Sequence, residues 1–482
     1  MNSALNKALA TGLRLSCAAF AAATLQSCAP KIELVKSPTL MSENWRGPII
    51  PSAGNHTITN EGWSVFGSSE LADLIEQARR RNPEIGIALA RITQARGELG
   101  VTKAALLPSI DGRLGGGSAV SDIFRRDVEN VENLFGSMNV QYELDLFGEN
   151  KALKRADQAR LLAAGYDADS TRLLVETTVA RTYFQFVTLA RREQILDQAL
   201  LNARKLERII RIRFDEGVAT RVDLGLQTIE VRNLEADKSR LIEARNATQN
   251  ALSVLVGQEA PTFNLAANDQ SELVIPNIET IQPGALLVRR PDVKAGEARI
   301  AAANGDIQAA RAAFLPDLQI SAGSTGSVAS FANPIAFGLN IAGELLAPIF
   351  SGGRLRGDMV RATGQQTEAV QTYRGVLLTA LAETEDALTA IDQSSIRLRL
   401  LGDIVTDART TAQLAREQYI GGVVDTRTVL ESERELLAAE ENHAIAMQEN
   451  LSAVVDLYRA MGGNPNDAPQ LIYERIAFGA EL

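Results

Sequence analysis

This 482-residue sequence holds only two histidines and two cysteines, and its many acids and bases do not gather into a catalytic set. The histidines, His56 and His443, stand far apart in the chain, so no zinc site is expected. There is no glycine-rich phosphate loop, no G-x-S-x-G elbow and no H-E-x-x-H helix, so neither an enzyme activity nor a cofactor is expected. What remains are two short polar clusters, each just after a glycine: Thr220, Arg221 and Asp223 after Gly217, and Asp425, Arg427 and Glu431 after Gly422. A hydroxyl three residues ahead of a carboxylate has the spacing of a capping box. Thr220 with Asp223 can therefore start a helix, and Asp425 can serve as a simple N-cap. Gly217 and Gly422 mark the places where the chain reverses.

The two cysteines add one further reaction. Lys7 and Arg14 precede an apolar run from Leu15 to Leu25, the layout of an export signal spanning residues 1–27. The following "LQSC", Leu25 to Cys28, resembles the lipobox of bacterial lipoproteins, which makes Cys28 the expected lipidation site and residues 28–61 a lipidated tether. Cleavage before Cys28 removes Cys17 and leaves no internal disulfide. It also removes Lys7 and Arg14 and no acid, so a net charge of −10 becomes −12. An acidic chain without a basic stripe is not expected to bind nucleic acid.

The elements that hold these residues come in two copies. "NPEIGIALARITQARGELGVTKAALLPSI" from Asn82 aligns with "RPDVKAGEARIAAANGDIQAARAAFLPDL" from Arg290 at an offset of 208. "FDEGVATRVDL" from Phe214 aligns with "YIGGVVDTRTV" from Tyr419, and Val256-Gly257 with Met461-Gly462, both at an offset of 205. Each copy reads helix, strand, turn, strand, long helix, turn, helix, over residues 62–260 and 285–462. Residues 261–284 are an irregular linker, and 463–482 a C-terminal segment expected to pack outside the helices.

Within each copy the hydrophobic period changes. Met138, Val140, Tyr142, Leu144 and Leu146 alternate with Asn139, Gln141, Glu143 and Asp145, which only an extended strand presents as two faces. Strands are expected at about 109–118, 137–147, 317–326 and 335–346, with a loop around "AVSDIFRRDVENVEN". Beyond them the period becomes that of a coiled-coil seam. Leu401, Val405, Ala408, Ala412, Ala415 and Tyr419 step by fours and threes, and Leu196, Leu200, Ala203, Ile210 and Phe214 take matching places in the first copy. A returning helix carries Leu430, Leu437, Ala444, Leu451 and Tyr458.

Four strands cannot close a barrel, and an open sheet edge in lipid leaves backbone groups unpaired. If the strands enter a membrane the chain must oligomerise, and three copies supply twelve strands and twelve helical rods. The alternative is a pore-free periplasmic coiled-coil lipoprotein acting as tether or adaptor, which leaves the amphipathic strands unexplained.

Taken in order, "GWSVFGSSELADLIEQARRRNPEIGIALAR", the duplicated Leu-Pro units, "YELDLFG", "FSGGR" and "YIGGVVDTRTVLESERELLAAE" resemble TolC-like outer membrane efflux proteins. The lipobox points to the OprM/NodT-type lipoprotein subfamily. The resemblance implies a mainly α fold with a transmembrane β-barrel, in which a homotrimer completes a 12-stranded barrel and an α-helical coiled-coil barrel. It implies an exit duct in the outer membrane of a Gram-negative bacterium, with its helical part in the periplasm. Its partners would be a periplasmic membrane-fusion adaptor, an inner-membrane pump of the RND type and outer-membrane lipid. By the same resemblance the periplasmic gate would lie at the hairpin tips, on Asp425, Arg427, Glu431, Thr220, Arg221 and Asp223.

Overall fold

A computed structural model describes residues 45–46, 62–121, 129–266, 270–276, 282–284, 289–328 and 336–463. Cys28, His56, the signal segment and nearly all of the tether and C-terminal segment lie outside the described residues. In chain order the elements are α1 (Ser69–Arg81), α2 (Pro83–Ala104), β1 (Ser109–Ser121), β2 (Glu129–Leu144), α3 (Glu149–Asp215) and α4 (Arg221–Leu255). The second copy supplies α5 (Pro291–Ala312), β3 (Asp317–Val328), β4 (Ala336–Leu346), α6 (Arg354–Ile420) and α7 (Thr426–Ala460). Short 3-10 turns at Gly62–Phe66, Ala260–Thr262 and Gln270–Glu272 complete the described structure.

The sheet is an antiparallel meander in the order β1-β2-β3-β4. Its register sorts the side chains. Ile110 faces Val140, Val140 faces Ala322 and Ala322 faces Ile341, while Asp111 faces Asn139, Asn139 faces Gly323 and Gly323 faces Asn340. One surface is apolar and the other polar, because residues directly opposite in a ladder share a face. Among the described residues the apolar surface is left uncovered: Ile341 is 83% exposed, and Leu114, Met138 and Leu339 are exposed with it. The hairpin β1-β2 runs further than the alternation suggests, since Ser121 pairs with Glu129 inside the stretch read as a loop. Backbone ladder bonds continue there although the apolar residues no longer alternate, Val131 and Leu134 being an odd number of positions apart, so hydropathy carries no record of them.

The helices pack in rows that extend the sheet. In the half next to the strands, Leu99 of α2 meets Leu161 of α3, α3 meets α5, and Val293 and Ile300 of α5 meet Tyr373 and Ala380 of α6. The α3–α5 contact is close enough that a Cβ at Gly305 would fall 2.9 Å from the Ala156 methyl. In the far half, Leu196 and Leu200 of α3 pack on Val231 and Leu234 of α4, with Leu437 of α7 against them, and α7 packs on α6 through Leu436 and Ala439. The order is therefore α4-α3-α7-α6 in that half and α2-α3-α5-α6 in the other. Helices α3 and α6 each hold 67 residues, roughly 100 Å at 1.5 Å per residue.

At mid-height a belt wraps this row. Trp63, Phe66, Leu71 and Ile75 bury themselves against Val179, Tyr183 and Phe184 of α3 and Leu457 and Tyr458 of α7. The contact is fixed by polar groups that would otherwise be orphaned. The buried Glu176 carboxylate accepts from Arg79 Nε at 2.7 Å and from Trp63 Nε1 at 3.2 Å, and Tyr183 shares a 2.9 Å hydrogen bond with Ser68 Oγ. Gln270 donates to Thr188 and to the Ala444 carbonyl, and the Arg46 N–H donates to Glu385.

The repeat has a steric origin at the ends of α4 and α7. A Cβ at Gly257 would fall 2.4 Å from the Arg81 carbonyl oxygen, and one at Gly462 would fall 2.9 Å from the backbone at Arg289 and Arg290. Each copy thus brings its last helix against the backbone that leads into α2 or α5, and only glycine admits the approach.

Candidate functional site at the hairpin tips

The farthest points from the sheet are the two turns, α3 to α4 and α6 to α7. Gly217 and Gly422 hold left-handed φ values of +77° and +76° there. At the first turn Thr220 and Asp223 form a reciprocal capping box: the Thr220 N–H donates to Asp223 at 2.9 Å and the Asp223 N–H donates to Thr220 Oγ1 at 3.2 Å. The Thr220 hydroxyl, followed by its N–H, holds the Asp223 carboxyl below its usual range. At the second turn Asp425 caps α7 by accepting from the Thr428 N–H at 2.9 Å and the Thr428 hydroxyl at 2.7 Å, which likewise lower its pKa.

The six tip residues are not all brought together. The buried Thr426 and the charge of Asp425, both of the second turn, act on the Asp223 carboxyl, so these acids of the two turns are neighbours. Arg427 and Glu431 form an i,i+4 pair of 3.9 Å with both side chains at least 70% exposed, and Arg221 is exposed on the first turn of α4. A pair so wet contributes about 0–1 kcal/mol.

A different arginine joins the two tips. Arg213, in the last turn of α3, donates to the Tyr419 carbonyl at 3.1 Å and to the Ile420 carbonyl at 2.9 Å, and its guanidinium lies 4.5 Å from the Tyr419 ring centroid. It caps the carboxyl end of α6, where helix dipoles favour a cation, and stacks on an aromatic face at the same time. Ile210, Ala415, Tyr419 and Val429 form the apolar cluster behind it. Further from the tips Arg434 of α7 bonds Glu230 of α4 at 2.9 Å through Nε, and Arg416 of α6 meets Glu433 of α7 at 3.1 Å. Between these pairs lies a cleft that includes Gln227, whose Nε2 donates to the Ala203 carbonyl. The sequence carries one signal for this joint: Tyr419 stands where the first copy has Phe214.

The arrangement, two helical hairpins joined by polar contacts at one end and an uncovered four-stranded sheet at the other, has relatives. The profile of the family described as "Outer membrane efflux protein" matches residues 74–258 and 283–463. The chain belongs to that family. It is an outer-membrane exit duct for efflux. The pyoverdine export outer membrane protein OpmQ of Pseudomonas aeruginosa is 31% identical over 414 residues, covering 83% of this chain and 86% of the relative. The outer membrane protein OprJ of the same organism is 28% identical, covering 94% and 96%. Among solved structures, the outer-membrane channel OprN superposes with a TM-score of 0.80 at 23% identity over 91% of this chain and 99% of that one. The open state of the Neisseria gonorrhoeae MtrE channel superposes at 0.78 and 21% identity, covering 90% and 98%. In a family of ducts the polar surface of the sheet is the side that meets water, and the apolar surface the side that meets lipid.

Proposed function

We propose that three copies of this chain close into one duct whose tips form its periplasmic gate, served by a membrane-fusion adaptor and an RND-type pump. The observation that carries this is the pair of unsatisfied boundaries on either side of the protomer. Among the described residues β1 and β4 each have one ladder partner, and α4 and α6 expose Ile229, Val222, Leu400 and Leu414 along their outer faces. A copy placed with its β4 beside β1 satisfies the backbone and covers the helices with one operation, and the third copy completes the ring. Acylation of Cys28 adds affinity for the inner leaflet without a spanning segment.

The gate follows from what the tips hold. Arg213 fastens the α6 end to α3 through two carbonyl contacts and a ring, a joint worth about 1–3 kcal/mol by its components. A joint of that size resists thermal opening and yields to the binding of an adaptor. Thr220, Asp223 and Asp425 keep the returning helices wound up to the turn, and Arg427, Glu431 and Arg221 face outward to be read by a partner. No catalytic step is needed: the pump supplies the energy and the duct supplies the path.

The test is native mass together with single-channel conductance in a planar bilayer. Expected are a trimer that conducts and an Arg213→Ala variant with longer or larger openings. A chain that stays monomeric and never inserts would sink the proposal. A conducting trimer indifferent to Arg213→Ala would remove the joint from the gate and leave the duct.

A further inference from the structure

One aromatic residue interrupts the polar surface of the sheet. Arg113, Ser137, Asn139, Gln141, Glu143, Gln319, Ser321, Thr325 and Asn340 share that surface by register, and so does Phe135. Phe135 is 45% exposed, and among the described residues it is the only aromatic on this surface. Its ring lies on the backbone of its cross-strand partner Gly115: a Cβ at that glycine would fall 2.5 Å from Cζ and 3.0 Å from Cε2. Its partner on the other side is Ser327, and Gly117 and Ser137 are the next residues on the same face. Gly115, with Gly117 next on the same face, therefore leaves a flat floor for an aromatic ring that stays 45% exposed.

Its height is set by the ladder. Phe135 stands nine residues from Leu144, the inner end of β2, or roughly 23 Å along the axis at a tilt of about 40°. That is close to the outer edge of an apolar band about 25 Å tall. A closed barrel of twelve strands has a backbone diameter of roughly 24 Å, so three such rings narrow the lumen without plugging it. They are suited to contact a passing molecule rather than to shut the pore.

We propose that Phe135 on its Gly115 floor is a stacking platform in the outer half of the lumen that briefly binds planar aromatic groups of departing molecules. The inference rests on the duct reading and adds a substrate-contacting residue to it. Offset stacking on an open aromatic face lengthens a visit by about two- to tenfold, enough for selectivity and too little to trap cargo.

The experiment is single-channel recording of the full-length protein with ethidium or, as an aliphatic cation of equal charge, tetraethylammonium added on the external side. Ethidium is expected to give resolved current blocks whose dwell time falls about two- to tenfold in Phe135→Leu and persists in Phe135→Tyr, with tetraethylammonium unaffected in all three. Gly115→Ala, which denies the ring its floor, is expected to shorten ethidium blocks as well and guards against one variant failing to insert. If the glycine–aromatic pair only stabilises the strands, both substitutions lower barrel stability and leave the ethidium dwell time unchanged. That outcome overturns the platform while the duct stands. A wild-type protein that does not conduct overturns the duct reading and the platform with it.

Discussion

The two copies of the repeat match in length and element order, yet they spend their apolar surface in opposite ways. Helices α3 and α6 both run 67 residues, but Val179, Tyr183, Phe184 and Val187 at the middle of α3 are fully buried whereas α6 leaves Leu378, Leu400, Ile404 and Leu414 exposed. The shorter pair reverses this: α7 buries Leu451, Val454, Val455 and Leu457, while α4 exposes Val222, Leu226 and Ile229. The cause is position in the row. Helices α3 and α7 lie between neighbours, and α4 and α6 lie at its ends. Duplication supplied two equal hairpins; packing made one helix of each a core element and kept the other for a copy of the chain.

That comparison is broken most strongly by substitutions at matched positions. Phe184→Ala on α3 is expected to cost about 3–5 kcal/mol, because its ring is fully buried beside Phe66. Thr389→Ala, 205 residues later on the exposed side of α6, is expected to stay within about 0.5 kcal/mol by chemical unfolding. Equal losses would mean that the copies are equivalent after all. Next in size are the residues that open α2 and α5. Arg290 is nearly buried and holds Asp292, Glu383 and the Ala460 carbonyl, whereas Asn82 caps α2 by accepting from the Glu84 N–H and donates to the Leu255 carbonyl. Both seal a last helix, one with a charge and one without. Arg290→Ala leaves two carboxylates uncompensated and is expected to cost about 3 kcal/mol, against about 1 kcal/mol for Asn82→Ala. Thermal unfolding of the two variants checks the order.

The smallest effect concerns the first residues of α3 and α6, Glu149 and Arg354. Burial, then the charges of Asp317, Glu143 and Asp145, push the Glu149 carboxyl up to about 7, with Arg354 opposing. The folded chain therefore keeps a proton that the unfolded chain loses near 4.5, and stability falls as pH rises through that window. Glu149→Gln is expected to raise the melting temperature slightly at pH 8 and to leave it unchanged at pH 4. A uniform shift at both values would place the effect in packing instead of charge.

Most of the architecture was legible because its periods are clean. Alternation at 138–144 and 336–342 needed no contact information to mark strands, although β2 ends at Leu144, short of the expected 147, and Ala408, Ala412, Ala415 and Tyr419 are buried along the seam their spacing drew. The outer ends of β1 and β2 were not legible, since a ladder whose apolar residues do not alternate looks like a loop. The tips were legible only in part. Capping is local, so Thr220, Asp223 and Asp425 could be assigned from spacing, whereas Arg213 acts on backbone carbonyls 206 and 207 residues away that no side-chain pattern records. Phe135 was hidden for a related reason: its meaning lies in its strand parity and in a glycine on the neighbouring strand.

The single-partnered edges of β1 and β4 also bear on how the duct is made. In the proposed trimer, one or two copies in a bilayer would each present a ladder with nothing but hydrocarbon to bond to, at several kcal/mol for every unpaired group. Partial assemblies are thereby kept out of the membrane by the solvent itself. Insertion then becomes a stoichiometry check in which the bilayer counts the subunits, and a variant that weakens the meeting of β1 and β4 would be lost before it reached the surface, long before it failed to transport.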